Sequence, residues 1–531
     1  MKYKHKRTWI KICIATGLLI VIIVVANIIL KSVVEKKLRT SLQQFQPYIQ
    51  ANFSKAHINL FAASVQLDSL NILYNPELKK EHAHSINFSV AEISGIHFFK
   101  LITAKEFLAG SLQLKNANIK LDYYLLDKHD TLPADIFKKI NAPFKNIFFN
   151  SVELKDMKIF EQNYKRIDAI CSGNFLLSDV RIPNINSTFS KDSIHFSNVN
   201  CELNEIHYKL SDYYSVSVKK ILLNSKDSLL QLDSLKLIPL LNKFEMGEKL
   251  KRQADHVNAI IRQIKITGLY AADLLHQKFI ADKINIEKPM AYIFRDRRLP
   301  RSKEKQPTPL DYLKQIPFNV SVQHFNLNDA EITSEEFPKE GEHSGYIKLQ
   351  HLYVTMKPFI NHTNKLSSSV ISNVKTSIMG AGNIHATIKL SLVNGNSDIK
   401  GAIEELNLTA MNPSAENLGK FHIESGVLNR LDFQFTATDV KATGKIVGVY
   451  HDLVVDRLKE TKHGLKKASI ASFLLHKIII PKNKDASLDI KKRTGKIDYN
   501  RDPTRFITFY YLKALLDGIR DSFTLGFVLP E

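Results

Sequence analysis

The amino-acid sequence predicts a mainly β protein that begins with one membrane-spanning helix. Three observations predict it. Residues Ile12 to Leu30 form an uncharged apolar run, and from Val65 onward short segments alternate apolar and polar residues. The 30 Phe and 18 Tyr among 531 residues, with many β-branched side chains beside them, favour strands over helices. A chain this long exceeds one ordinary core, so several units or one repetitive unit are expected. An apolar content of 44% excludes a disordered chain.

The apolar run reads ICIATGLLIVIIVVANIIL, with only Thr16 and Asn27 polar. At ~1.5 Å per residue it reaches about 28 Å, the thickness of a bilayer's hydrocarbon layer. Lys2, Lys4, Lys6, Arg7 and Lys11 precede it with Trp9 at the interfacial position, and Lys31, Lys36, Lys37 and Arg39 follow. The short tail 1–11 is expected in the cytoplasm, with the long remainder translocated. The run ends without an A-x-A pattern, so 12–30 reads as an uncleaved transmembrane helix. Residues 31–64 then read as a juxtamembrane helix and linker.

In the body, Val65 and Leu67 are followed by Leu70 and Ile72. Leu112 and Leu114 are followed by Ala117, Ile119 and Leu121, and Val152 and Leu154 by Met157 and Ile159. Period two, a slip of one position, then period two again describes a bulged strand with one dry face. The same phrase recurs 173 residues later. Ile93-Ser-Gly95 through Lys105 matches Ile266-Thr-Gly268 through Lys278, and Phe149–Ile159 matches Val322–Ile332. Two copies suggest stacked β modules that bury a shared surface. The dry-face candidates are Leu112, Leu114, Ile119, Val152 and Leu154 in the first copy, and Ile284, Ile286, Phe325 and Leu327 in the second.

These patterns divide the body. A first β module covers 65–240, and a surface helix covers 241–264, where Phe244, Leu250, Val257 and Ile261 have helical spacing. A second module, 265–369, repeats about 93–160. A further β region covers 370–460, and a terminal segment covers 461–531. The stretch Arg295 to Pro309 reads as an exposed loop. Asp502 as cap and Pro503 at the first position predict a helix over 503–522. Its apolar majority packs on the β body or meets a partner or bilayer.

The net charge of +21 suits anionic lipid headgroups or plain solubility. Placement of the body outside the cytoplasm argues against nucleic acid. Cys13 lies in the apolar run; Cys171 and Cys201 are either bonded or two free thiols. No phosphate-loop, dinucleotide, HExxH or GxSxG pattern occurs. His82 and His84 lack a supporting ligand cluster and read as a solvated loop pair. No catalytic residue, metal or cofactor is therefore assigned, and a non-enzymatic protein is expected.

Gly401 to Leu458 carries a further signal. A strand leads to Leu406 and Asn412-Pro413; Ile423-Glu-Ser-Gly426-Val-Leu-Asn-Arg-Leu follows, then Gly444-Lys-Ile-Val-Gly-Val-Tyr450-His-Asp452-Leu453. With the N-terminal anchor and the bulged modules, this region resembles the C-terminal part of the AsmA-like family of envelope proteins. The repeats, with Phe294-Arg-Asp-Arg-Arg-Leu-Pro300, look like members found in Bacteroidota. The resemblance implies an elongated, curved β-sheet groove, taco-like, with a few short helices. It further implies anchoring in the bacterial inner membrane, a periplasmic body, and phospholipids or other anionic lipids held along the groove, in support of envelope and outer-membrane lipid homeostasis. The dry-face residues then become lipid-groove candidates. The alternative is a scaffold or assembly factor whose partners are other envelope proteins. The chain is short beside the bridge-forming members, which puts a span of the whole periplasm in doubt.

Overall fold

A computed structural model of the protein describes residues 35–522, apart from 76–82, 123–145, 184–194, 363–367, 468–493 and positions 37, 41, 44–45, 60, 164–165 and 462–463. The expected membrane span, 12–30, lies outside the described residues. Among the described residues no helix is long and apolar enough to cross a membrane. Strands dominate, and the helices are few and mostly short. The chain forms two compact units: Met1–His207 with Ile221–Lys226, and Tyr208–Lys220 with Asp227–Glu531.

In the first unit, β1 (Ile49–Asn52) and β2 (Lys55–Asn59) both lie antiparallel along β3 (Ser64–Tyr74), which pairs with β4 (His84–Ser94). Next come β5 (Glu106–Lys115) and β6 (Asn118–Asp122), successive halves of one line between β4 and β7 (Asn146–Asn163). β8 (Arg166–Pro183) and β9 (Asn198–Lys209) complete the order. Pairing is antiparallel except where β5 and β6 meet β7. Residues 49–59, expected to be linker, are therefore strand. Four and five residues are too short for periodicity to register. Their backbones are held by β3, and Phe53 is buried with Arg39 stacked 4.0 Å from its ring centre.

β10 (Tyr214–Asn224) has residues in both units. In the second unit β11 (Leu229–Pro239), β12 (His256–Thr267) and β13 (Lys278–Asp296) pair antiparallel, and β13 runs parallel to β14 (Asn319–Phe337). Antiparallel strands continue through β15 (Gly345–Met356), with β16 (Phe359–Ile360) on β14. Then come β17 (Ser369–Ile378), β18 (Gly382–Ser391), β19 (Ser397–Asn407), β20 (Phe421–Ala437) and β21 (Lys441–Thr461). β21 pairs with both β22 (Gly464–Lys467) and β23 (Thr494–Asn500).

The helix expected over 241–264 is a correction. Only Glu245–Leu250 is helical, and it ends at Lys251 in the left-handed region (φ 53°). Val257, Ala259 and Ile261 also alternate at period two in an isoleucine-rich stretch. Hydrogen bonds to β11 on one side and β13 on the other settle that ambiguity as strand. The loop expected over 295–309 is likewise partly ordered: Arg295 and Asp296 end β13, and Pro309–Lys314 is a helix with a Thr308 capping box.

The same order of elements occurs twice. β3, β4, helix α1 (Phe98–Thr103), β5 with β6, β7 and β8 correspond to β11, β12, the 3₁₀ turn Ala271–His276, β13, β14 and β15. Gly95 (φ 65°) and Gly268 (φ 67°) open the equivalent turns. A Cβ at Gly268 would fall 2.2 Å from the Asp282 carboxylate, so glycine is needed there for space as well as for φ. Each copy also contains the parallel pair, which needs a crossover connection. In the second copy that connection carries Pro309–Lys314.

The slips seen in the sequence are left-handed bulge residues: Ser69 (φ 53°), Asn116 (φ 50°) and Asp156 (φ 51°). Equivalent positions in the second unit are Ser234, Lys288 and Asp329, again with φ near +50°. Such a residue costs about 1–2 kcal/mol unless it is Gly, Asn or Asp. It inserts one residue and so returns the next apolar side chain to the same face. In β7 the apolar series is Ile147, Phe149, Val152, Leu154, Met157 and Ile159; in β14 it is Val320, Val322, Phe325, Leu327, Ala330 and Ile332.

The second unit is bent. Helix α4 (Asn412–Gly419; α2 is Glu245–Leu250 and α3 is Pro309–Lys314) reaches both β15 and β20, with β17, β18 and β19 between them. Asn417 donates to the Ser344 carbonyl (3.0 Å), and Asn412 to the Ile423 carbonyl (2.9 Å). A flat sheet would hold β15 and β20 about 19 Å apart, beyond the ~12 Å length of α4. At the chain's end, α5 (Ile507–Ser522) lies on β21 and β23. It starts four residues later than predicted because the Asp502 carboxylate accepts from Thr504 N (2.9 Å) and its hydroxyl (2.6 Å), which holds a turn first.

Candidate functional site

The first set of predicted residues comes together on one face of the first unit. Leu112 and Leu114 on β5 stand level with Val152 and Leu154 on β7, and Ile119 on β6 stands level with Ile159. A parallel ladder puts level residues on the same side, so the five candidates form one patch. β4 extends it, with Ile93 opposite Leu112, Ala91 opposite Leu114 and Ile86 opposite Ile119. Phe149, Ala109, Ala117 and Met157 are buried within it, and the five predicted residues are each half-buried.

The other face is wet. Lys115 pairs with Glu92 (3.9 Å) and Lys155 with Glu153 (3.2 Å). Among the described residues α1 meets the dry side only at one edge, where Phe98 packs with Ile96, Ala109 and Phe149. Its Phe99 and Ile102 face solvent. Among the described residues the patch is thus part of a layer whose outer surface is only partly covered.

The second set assembles in the second unit. Ile284 is level with Phe325, and Ile286 with Leu327, again across a parallel ladder. β12 places Ile266 and Ile264 opposite Ile284 and Ile286; β15 places Met356 and Val354 opposite Phe325 and Leu327. Ile284 is buried; Ile286, Phe325 and Leu327 are half-buried, and Phe325 packs 5.3 Å from Phe359. The intervening residues make a polar ladder: Asn326 donates to Asn285 (2.9 Å) and Asn328 to Glu287 (2.7 Å).

The sheet from β19 to β23 is different. Leu431, Ile446 and Ile497 are fully buried beneath Tyr510 and Ala514 of α5. Gly495 and Gly518 allow that contact, since a Cβ on Gly495 would sit 1.9 Å from the Gly518 carbonyl oxygen. Here α5 supplies the second layer, so this stretch is a sealed core. Of the two roles open to the terminal helix, packing on the β body is the one observed.

Lys243 donates to Tyr292 (3.3 Å) and Glu335 (2.9 Å), and the Tyr292 hydroxyl donates to Glu335. Burial pushes the Glu335 carboxyl up, but hydrogen bonds from Tyr292, Lys243 and Ser344 outweigh it and hold the pKa below the usual carboxylate range. These bonds tie the segment before α2 to β13 and β14. His84 is not in a loop: it begins β4, and its Nδ1 accepts from the Asp122 amide (3.0 Å). His82 lies outside the described residues. Among the described residues no group of three or more potential metal ligands occurs. Cys171 and Cys201 are free thiols, and burial raises the pKa of both, which disfavours the reactive thiolate.

Sequence reasoning missed a cationic cluster where the end of β13 meets the turn before α5. Arg295 donates to Asp255 (2.7 Å) and stacks on Phe506, and Arg301 pairs with Asp502 (3.2 Å). The signal was present as Arg295, Arg297, Arg298 and Arg301 close together in sequence. Their neighbours Arg501 and Arg505, however, are some two hundred positions away. No protein-family model and no curated protein matches this sequence.

Proposed function

We propose that this chain is an inner-membrane-anchored envelope protein, with its body in the periplasm, that binds or conducts phospholipids along its dry β faces and so supports envelope lipid homeostasis. One observation carries the proposal: two repeated patches of apolar side chains, level across parallel strands, are, apart from the buried Ile284, left half-buried among the described residues on faces that are wet on the reverse side. An apolar surface of that kind is favourably covered by acyl chains, at ~0.8 kcal/mol per methylene. Many weak, similar contacts hold a chain without fixing its position along the strand. An elongated, taco-like groove is the form in which such faces would serve as a path, and the bent sheet of the second unit supports it.

A photo-crosslinking residue placed in cells at Leu114, Leu154, Ile286 or Leu327 tests this. Lipid adducts from these sites, and none from Gln113 or Asn326 on the wet faces, are the expected result. Absence of lipid adducts from a folded chain would refute it.

A scaffold role is the second reading, favoured by Phe61, Phe99 and Ile102, which are 81%, 76% and 79% exposed at one end of the first unit. It predicts protein adducts from those three positions.

A further inference from the structure

Arg505 is only 5% exposed, yet its Nε has no hydrogen-bond partner, and its guanidinium makes no hydrogen bond or ion pair among the described residues. It lies on the face of Phe509, 4.5 Å from the ring centre. One turn further along α5, Lys513 Nζ lies 5.6 Å from the same ring and also lacks an acidic partner among the described residues. The surrounding acids are already engaged: Asp255 by Arg295, Asp502 by Arg301, and Glu336 by Arg297 (3.4 Å).

Arginine does not neutralise by losing a proton, so a guanidinium whose Nε is enclosed without a partner, in a residue almost fully buried, is a state that an anion meeting its fork would relieve. The neighbours make the imbalance worse. Burial, then Arg301, Arg295 and Arg297, disfavour charge on Arg505, against the attraction of Glu336 and of Asp502, which is itself paired with Arg301. Burial, then Arg297, Arg505 and Arg520, act the same way on Lys513. The segment 301–306 is held against this place: Gln306 N donates to the Pro503 carbonyl (2.8 Å), and Arg501 donates to the Gln306 carbonyl (3.0 Å). Cations are thus gathered from the end of β13, the crossover and the start of α5.

We propose that Arg505 and Lys513, with Arg297 beside them, form a binding site for a phosphate-type oxyanion, filled by the phosphodiester of a lipid headgroup. The guanidinium offers a planar fork of donors and the ammonium a point charge, the pair that phosphate recognition uses elsewhere. The headgroup assignment rests on the lipid reading above; the oxyanion site itself does not. The placement fits a terminus for a lipid path, because α5 seals the apolar face beyond it.

The test uses the full chain in a phosphate-free nonionic detergent, titrated calorimetrically with dihexanoyl phosphatidylglycerol, with dihexanoylglycerol, which has the same tails and no phosphate, and with inorganic phosphate. Arg505→Lys keeps the charge and loses the fork; Lys513→Met removes a half-buried ammonium at little risk to folding, and circular dichroism checks both. At least a tenfold loss of phosphatidylglycerol affinity in each variant, with dihexanoylglycerol binding unchanged, is expected. Inorganic phosphate binding as tightly, with the same dependence on the variants, supports the oxyanion site and overturns its assignment to a headgroup. Phosphatidylglycerol binding that is equal in parent and folded variants overturns the site and leaves the lipid reading standing. If no phosphate compound titrates, the site is overturned, and dihexanoylglycerol then reports on the lipid reading alone.

Discussion

Leu327 and Val322 lie on the same strand, five residues apart, and differ in burial: Val322 is 0% exposed, while Leu327 is half-buried. Replacing each by Asp separates an open face from a sealed core. Full burial of a leucine is worth about 1.5–3 kcal/mol, so a half-buried one contributes about 1 kcal/mol. A carboxylate at Leu327 retains water on its open side, and the total loss expected is about 1–2 kcal/mol. At Val322 the carboxylate would be enclosed between β13 and β16 without a partner, and a loss of about 4 kcal/mol or more is expected. Chemical denaturation of the two variants measures the difference through the shift in midpoint at constant slope. Equal destabilisation would refute the reasoning, because Leu327 would then be packed as tightly as Val322.

Three further outcomes follow from the backbone and the charges. Lys288 (φ 47°) should tolerate glycine, with a gain of up to about 1 kcal/mol, and lose about 1–2 kcal/mol as valine; thermal unfolding that ranks valine above glycine contradicts the bulge assignment. Gly495→Ala should cost about 2–3 kcal/mol and speed hydrogen exchange in α5, since its Cβ has no room against the Gly518 carbonyl; an unchanged exchange rate argues against that contact. The Glu335 pKa is depressed on folding, so its contribution is present above the unfolded value of about 4.3 and is lost as pH falls through the folded value. Glu335→Gln should therefore destabilise the protein at pH 7 and by progressively less as pH falls below about 4.3; a difference independent of pH rules the linkage out.

Where one period holds over two or three turns of pattern, the strands could be read directly. The slips after Leu67, Leu114 and Leu154 appear as the positive-φ residues Ser69, Asn116 and Asp156, because an inserted residue is the only way to keep a period-two face continuous across them. Val257 and Ile261 misled because a spacing of four fits both a helix and alternate strand residues, and pairing with β11 and β13 made the choice. The nine groove candidates fall into one patch per unit, as the repeat in the sequence required. The cluster around Arg505 was not legible, since its members come from segments some two hundred residues apart and only the folded chain places Arg301 beside Asp502.

The two treatments of the dry face within the second unit bear on function more than any single residue does. From β19 to β23 the face is covered by α5, and Leu431, Ile446 and Ile497 are sealed to 1% exposure or less. On β13 and β14 of the same unit, Ile286, Phe325 and Leu327 remain half-buried, although an amphipathic helix was evidently an available solution to covering such a surface. The first unit has an equivalent patch on β5 and β7. An open face repeated in both copies, at bulges that keep it continuous despite their conformational cost, is hard to explain by stability alone, since burying those side chains would add about 1 kcal/mol each. In the lipid-binding role proposed above, exchangeable acyl chains would recover that energy while leaving the surface free to release them.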